Sequence, residues 1–163
     1  MVIADRIDKL NVVIGRLFSW LTTLLMLVIC FDVLMRYVFN SSSAALTETE
    51  WHLFAALFMM GAAYTLKYDK HVRVDVFYTN FSDKRKAWVD LIGTLIFLFP
   101  FCYVVVTTSI PFVMNAFEVQ ETSPDPGGLP ARYIIKSVIP IGFSLLFLQG
   151  ISVALNCIKK IIA

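Results

Sequence analysis

The sequence predicts an all-α integral membrane protein with four transmembrane helices, because of its composition, its long charge-free stretches and the placement of its basic residues. Hydrophobic residues make up 58% of the 163 positions and charged residues 16%, whereas a soluble domain carries charge on about a quarter of its residues. A helix needs about 20 mostly apolar residues to cross the hydrocarbon core, and a chain in lipid must satisfy its backbone internally. The charge-free stretches run from 17 to 31, 51 to 66, 91 to 117 and 137 to 158. The last two reach that length unaided, and the first two reach it by including a flanking acid, Asp32 or Glu50.

The basic residues predict which side of the membrane each loop occupies. Eleven of the 14 Lys and Arg residues lie before the first span, between the second and third spans, or after the fourth. Because cytoplasmic loops carry an excess of Lys and Arg, we expect these segments in the cytoplasm. The sequence therefore predicts that both termini are cytoplasmic and that the first and third loops lie outside.

The pattern of residues 1–16 predicts that they form an amphipathic helix on the membrane surface. Apolar residues recur at steps of three and four while charged residues occupy the other faces, and the apolar positions are Ile3, Ile7, Leu10, Ile14 and Leu17. This pattern is typical of a helix that lies in the headgroup plane. The alternative is a cytoplasmic extension of the first span.

The transmembrane helices are predicted at 17–37, 47–67, 88–112 and 133–158. The second contains small residues that would let a neighbouring helix approach closely, and these are Ala55, Ala56, Gly61, Ala62 and Ala63. The third is longer than a membrane requires, so we expect Pro100 to kink it and Pro111 to mark a bend or an exit. Turn-forming residues at 123–130 predict a rigid outer loop.

Asp32 and Arg36 are the charged pair closest to the membrane interior in the first span. They are four residues apart, so on a helix they share a face and can pair. We interpret them as a structural ion pair. The alternative, a proton or ion relay, needs further ionisable groups deeper in the membrane, and this chain offers none.

No pattern in the sequence indicates catalysis, a cofactor or binding of nucleic acid. His52 and His71 would lie about 28 Å apart along one helix, so they cannot share a haem or a metal ion. The three cysteines have unrelated spacings, and the chain contains no phosphate-binding loop or nucleophile motif. The basic second loop is explained by topology and by contact with anionic lipid headgroups. We therefore expect neither an enzyme nor a cofactor in this chain.

Several short motifs occur in order along this four-span frame. They are DVLMRYVF at 32–39, EWHLF at 50–54, GAAY at 61–64, HVRVDV at 71–76, GLP at 128–130, Lys136, and PIGF at 140–143. In order and spacing they resemble the small membrane subunit (DctQ type) of tripartite ATP-independent periplasmic (TRAP) transporters. The resemblance covers nearly the whole chain.

The resemblance implies that a larger membrane subunit moves the substrate, driven by a sodium gradient, and that a soluble periplasmic protein delivers it. The small subunit would join the large one in the bacterial inner membrane, hold its stationary part and help to dock the periplasmic binding protein. Substrates of the family are mostly organic acids, and the sequence does not identify which one is transported. Any sodium site is expected in the large subunit. The alternative function is a self-contained, oligomeric four-span transporter or channel.

Two groups of residues are the predicted interaction sites. A structural cluster is expected to hold helices or the large subunit, with Asp32, Arg36 and Glu50 at the outer face, His71, Arg73 and Asp75 at the inner face, and Gly61 in a close helix contact. The outer loop is expected to dock the binding protein through Glu118, Glu121, Asp125 and Arg132, where charge would tune the encounter rate. The alternative is that all of these are solvated loop charges, which contribute little.

Overall fold

The computed structural model describes residues 2–68 and 81–162, and these residues form helices joined by loops. The helices are α1 (Val2–Val38), α2 (Ala44–Lys67), α3 (Asp83–Gly93), α4 (Phe99–Glu118) and α5 (Arg132–Ile162). A short π-helical segment, Thr94–Leu98, joins α3 to α4, so that 83–118 is one helical stretch of 36 residues. The predicted all-α class is confirmed for the part of the chain that the structure describes.

Three helices among the described residues are long and apolar enough to cross a membrane, whereas four were predicted. They are Ile3–Val38, Asp83–Glu118 and Arg132–Ile162. The exception is α2, which has 24 residues and is therefore about 36 Å long. Its length suffices, but Glu48, Glu50 and Lys67 near its ends lower its average hydropathy.

The first helix is continuous from Val2 to Val38, so no break separates residues 2–16 from the first predicted span. The segment extends that span, which corresponds to the alternative interpretation. Ala4 and Asn11 are buried in this extension, whereas Ile3 and Leu10 of the predicted apolar stripe are exposed. The extension therefore packs on the bundle mainly through a face next to the stripe. Of the stripe itself, Ile14 packs on the bundle, whereas Ile3, Leu10 and Leu17 are exposed.

Helix α5 is the centre of the bundle and contacts each of the other helices. One buried cluster joins α3 to the second half of α5 through Ala87, Leu91, Ala154 and Cys157. A second joins α2 to the first half of α5 through Met60, Ala63 and Leu145, and Ile14 and Phe18 of α1 pack against it. The core is therefore a set of helix–helix seams along α5.

Glycines make the closest approaches between these helices. A Cβ added at Gly142 would lie 2.8 Å from the Met59 carbonyl oxygen, and one at Gly15 would lie 2.5 Å from the Tyr64 Cβ. A Cβ added at Gly61 would meet nothing within 4 Å. Small residues do permit close packing of α2, but the glycines that do so belong to α1 and α5.

The two prolines of the third predicted span have different structural consequences. The π-helical segment directly precedes Pro100, and its last turn is closed by the Phe99 N–H, which donates to the Thr94 carbonyl five residues back. The wider turn makes room for a proline ring that would otherwise press on the preceding turn. At Pro111 the helix does not end, because α4 continues to Glu118. Pro111 therefore does not end the helix, and whether the chain leaves the membrane there stays a prediction. A proline within an apolar helix is tolerated here.

The bundle has two ends, which we name by the segments found there. The loop end carries the start of α2 and residues 119–131, which are in contact through Glu48 and Ser123. The terminal end carries the start of α1 and the second half of α5, which are in contact through Asp8 and Ser152. Lys67, at the last residue of α2, lies 3.6 Å from Asp8, so α2 reaches from one end of the bundle to the other.

Candidate functional site

Glu48 of α2 organises the loop end of the bundle. It is only 4% exposed, and both of its carboxylate oxygens are occupied by the segment that follows α4. The Ser123 hydroxyl donates to Oε1 at 2.5 Å, and the Leu129 N–H donates to Oε2 at 2.6 Å. Arg132 Nη2 lies 3.8 Å from Oε1 and adds a positive charge. We call these contacts of Glu48 with Ser123 and Leu129 the Glu48 latch.

The segment 119–131 forms a closed loop around this carboxylate. The Ser123 N–H donates to the Leu129 carbonyl at 3.1 Å, and the Arg132 N–H donates to the Glu121 carbonyl at 2.9 Å. The first and last parts of the loop therefore meet at its base. Gly128 lies against the latch, because a Cβ there would come within 2.8 Å of Glu48 Oε2 and 2.4 Å of Ser123 Oγ. The absence of a side chain at Gly128 is what lets the carboxylate enter the loop.

The four residues predicted to dock a binding protein fall into two pairs. Glu118 and Asp125 are exposed. Glu121 forms an ion pair with Lys136 of α5, and Arg132 approaches Glu48 while its guanidinium lies 5.6 Å from the centre of the Trp51 ring. Two of the predicted residues therefore contribute to the internal structure of the loop end, and two present free acids on its surface.

An apolar groove of about 450 Å³ lies beside the loop, between α2, α4 and α5. Its lining includes the apolar residues Ala55, Met59 and Phe112 and the basic residues Arg132 and Lys136. The Lys136 ammonium is 4.0 Å from the centre of the Phe112 ring, a distance at which the ring face attracts a cation. The groove could accept an apolar group whose polar end lies near Arg132 and Lys136.

The predicted pairing of Asp32 and Arg36 is present in the structure. Arg36 Nη2 donates to Asp32 Oδ2 at 2.5 Å; Asp32 is 3% exposed, and the Arg36 side chain is half exposed. The second oxygen, Asp32 Oδ1, is buried without a hydrogen-bond partner, as is Glu50 Oε1. Among the residues that the structure describes, no hydrogen bond or ion pair joins Glu50 to this pair. The predicted outer cluster is thus an ion pair on α1 with a separate, partly buried acid on α2.

The remaining predicted positions are less informative. Gly61 lies on α2 with open space where a side chain would be. His71, Arg73 and Asp75 lie outside the described residues. In the described ranges 2–68 and 81–162, no group of three or more His, Cys, Asp and Glu side chains could hold a metal ion.

A second polar network, at the terminal end, was not predicted from the sequence. Asn11 Nδ2 donates to Gln149 Oε1 at 2.8 Å, Gln149 Nε2 donates to Asp8 Oδ1 at 2.9 Å, and the Ser152 hydroxyl donates to the same Asp8 oxygen at 2.6 Å. Gln149 and Ser152 are almost completely buried, and Lys67 completes the network from α2. The signal in the sequence was an amide inside an apolar helix, since such a residue usually faces the bundle interior and finds a partner.

The two networks have the same chemical character. In each, a carboxylate accepts hydrogen bonds from residues that are more than 70 positions away in the chain, and a Lys or Arg lies close to it. Carboxylates satisfied in this way hold helices and loops in place. The arrangement favours a structural role for both ends of the bundle.

Comparison with known proteins identifies one family. The family model described as tripartite ATP-independent periplasmic transporters, DctQ component, matches residues 25–160. A search of curated proteins found no match. The matched range covers most of the chain, from the middle of α1 to the end of α5.

Proposed function

The chain belongs to the DctQ component family of the tripartite ATP-independent periplasmic transporters, and we propose that it scaffolds the large membrane subunit of such a transporter and helps to dock the periplasmic binding protein. The transporter would be driven by sodium and would take up an organic acid. Substrate and sodium sites would lie in the large subunit. The family match over residues 25–160 is the observation that supports this proposal.

All four predicted helices would cross the inner membrane in this proposal. Three of them are apolar enough to do so on their own. The support for α2 is geometric: Glu48 contacts the loop at one end of the bundle, and Lys67 contacts Asp8 at the other. A helix that reaches both ends of a bundle of crossing helices crosses with them, and its polar residues are compensated by internal partners.

The orientation follows from the distribution of basic residues. With the terminal end in the cytoplasm, both termini and Lys84 would lie inside, and the loop end with Asp125 would lie outside. Cysteine labelling with a membrane-impermeant reagent tests this directly. Labelling of a Lys84→Cys variant in intact cells would contradict it, and labelling of an Asp125→Cys variant is the expected result.

The scaffold role is supported by what the bundle leaves exposed. The carboxylates of Asp8 and Glu48 are used internally, whereas large apolar side chains face outward from α1 and α2, among them Trp20, Leu27 and Phe58. In lipid, the association of helices depends on packing and on small residues at the contact. Gly61 has open space around it, and the exposed Phe58 lies one turn before it on α2. A helix of the large subunit could pack closely at this position.

The docking role is supported by the exposed acids of the loop end. Glu118 is the last residue of α4, and Asp125 lies on the loop that is closed at its base, so both exposed acids would meet an approaching protein at fixed positions. Charged groups at such a rim mainly change the rate of encounter. Glu121 is less suitable for a docking test, because its ion pair with Lys136 is part of the fold.

Uptake by the reconstituted three-part transporter tests the proposal. Charge reversal at Glu118 and Asp125 together should raise the concentration of binding protein needed for half-maximal uptake, while the membrane complex still assembles. An unchanged concentration dependence would show that the loop is not the docking surface. The isolated chain in liposomes should transport nothing, and transport by the chain alone would favour the alternative of an oligomeric transporter or channel.

A further inference from the structure

Glu48 is a buried acid whose two oxygens are both directed at one loop. Its partners, Ser123 and Leu129, are 75 and 81 residues away along the chain. Carboxylates in the first turn of a helix commonly interact with the N-terminal N–H groups of that helix, but Glu48 is the fifth residue of α2. Here both oxygens are instead bonded by the loop, so the side chain belongs to the loop as much as to α2.

The loop is built to receive this carboxylate. The Ser123 hydroxyl donates to Glu48 and accepts the Asp125 N–H at 3.1 Å, which places Asp125 two residues from the latch. The Gly128 N–H donates to the Asp125 carbonyl at 3.0 Å, and Gly128 has no room for a side chain beside Glu48 Oε2. The position of the exposed Asp125 is therefore fixed through Ser123 and Gly128, which both contact Glu48.

We propose that Glu48 is a positioning residue for docking, which holds the 119–131 loop in the single conformation that the periplasmic binding protein recognises. This inference rests on the proposed docking function of the loop. Glu48 itself is buried and would not touch the binding protein. It would act by raising the fraction of molecules whose loop is in the conformation that binds. When only a fraction of the molecules has the binding conformation, the apparent affinity is reduced by that fraction.

The substitutions that test the latch differ in which contacts they remove. Glu48→Ala removes all of them. Glu48→Gln keeps an oxygen that accepts from the Leu129 N–H, but its amide NH2 group would face the Ser123 oxygen as a donor. The charge is therefore lost together with the hydrogen bond that the Ser123 hydroxyl donates. Gly128→Ala disturbs the latch from the loop side without changing charge. Thr47→Ala is the control, because Thr47 is exposed and its hydroxyl bonds only locally, to the Ser43 carbonyl.

Hydrogen exchange of the loop amides in the assembled membrane complex measures the latch without reference to docking. Exchange at the Leu129 amide should become at least about tenfold faster in Glu48→Ala, since its hydrogen bond to a charged group is lost. Exchange at the Ser123 amide, which donates to the Leu129 carbonyl, should become faster as the loop loosens. Gly128→Ala should also exchange faster, Glu48→Gln should be intermediate, and Thr47→Ala should match the wild type. Unchanged exchange in both Glu48→Ala and Gly128→Ala would overturn the proposal.

Uptake by the reconstituted transporter then measures the positioning role. Glu48→Ala and Gly128→Ala should raise the half-maximal concentration of binding protein severalfold, and the maximal uptake rate at saturation should be unchanged. In Glu48→Gln the half-maximal concentration should be closer to that of the wild type. A variant that merely unfolded the subunit would lower the maximal rate instead, and that result in both variants would count against positioning.

The charge-reversal variant of Glu118 and Asp125 separates this inference from the docking proposal. If charge reversal shifts the concentration dependence and the latch variants with faster exchange do not, docking stands and the positioning role of Glu48 is wrong. If neither shifts it, the loop is not the docking surface, and the positioning role is excluded with it.

Discussion

Gly142→Ala tests the packing of α2 on α5 at the point where the two helices come closest. The added Cβ would lie 2.8 Å from the Met59 carbonyl oxygen and 3.1 Å from the Met59 carbonyl carbon, whereas ordinary contact begins at 3.4 Å. The shortfall is about 0.6 Å, and the neighbour is backbone that cannot rotate away. Overpacking of this kind typically costs about 1–3 kcal/mol.

Gly61→Ala is a matched control for this substitution. Both glycines lie inside helices, so both changes gain the same helix propensity, about 0.8–1 kcal/mol relative to glycine. The control has open space around the new Cβ. The difference between the two variants therefore isolates the collision, and we expect Gly142→Ala to be less stable than Gly61→Ala by about 1–3 kcal/mol.

Equilibrium unfolding of the purified chain in mixed detergent micelles, followed by circular dichroism, measures this difference. Gly61→Ala should unfold at or above the midpoint of the wild type, and Gly142→Ala should unfold clearly below Gly61→Ala. Equal midpoints for the two variants would refute the close approach of Gly142 to Met59. The measurement requires only the isolated subunit, so the outcome does not depend on any partner.

Three further substitutions probe the surface proposed to contact the large subunit, the polar network at the terminal end, and the Asp32–Arg36 ion pair. Gly61→Leu should leave the isolated chain folded, because the position is open, but should loosen its complex with the large subunit during detergent purification; normal co-purification and transport would exclude a close contact there. Gln149→Leu should destabilise the chain by about 1–3 kcal/mol in the same unfolding assay, because buried polar partners lose their hydrogen bonds, and the exposed Asn115→Leu should not. Arg36→Ala should reduce the amount of assembled complex, because it leaves the buried Asp32 carboxylate unpaired; recovery is expected on adding Asp32→Asn, and its absence would argue that Arg36 acts through another contact.

Hydropathy and periodicity predicted the helices well where one segment decides its own structure. The all-α class and three of the spans follow from apolar length alone. For α2 the same measure is ambiguous, because the acids and the lysine at its ends are compensated by residues far away in the chain, such as Ser123 and Asp8. A local average cannot include partners that only the fold supplies.

The pairing of Asp32 with Arg36 could be predicted because it depends only on a spacing of four residues. The role of Glu48 could not, since in the predicted helix at 47–67 it is simply an acid in the first turn, where the helix dipole favours negative charge. Gly61 is a second position at which the sequence could not show which residues would be in contact. The sequence indicates that a glycine can be approached, but which helix approaches it is decided by how the bundle packs, and in this chain Gly142 makes the close contact.

The placement of polar contacts at both ends of α2 explains how such a bundle could serve as a rigid scaffold. Helices that pack through apolar and small side chains in lipid have little to prevent them from sliding, since neighbouring registers bury similar surfaces. A shift of α2 by one residue would move it by about 1.5 Å and turn its side chains by about 100°. Glu48 would leave the loop at one end while Lys67 left Asp8 at the other, and the carboxylate of Glu48 would lose both of its hydrogen bonds. Because a buried carboxylate without hydrogen-bond partners is costly, the two ends together hold α2 in one register against α1 and α5.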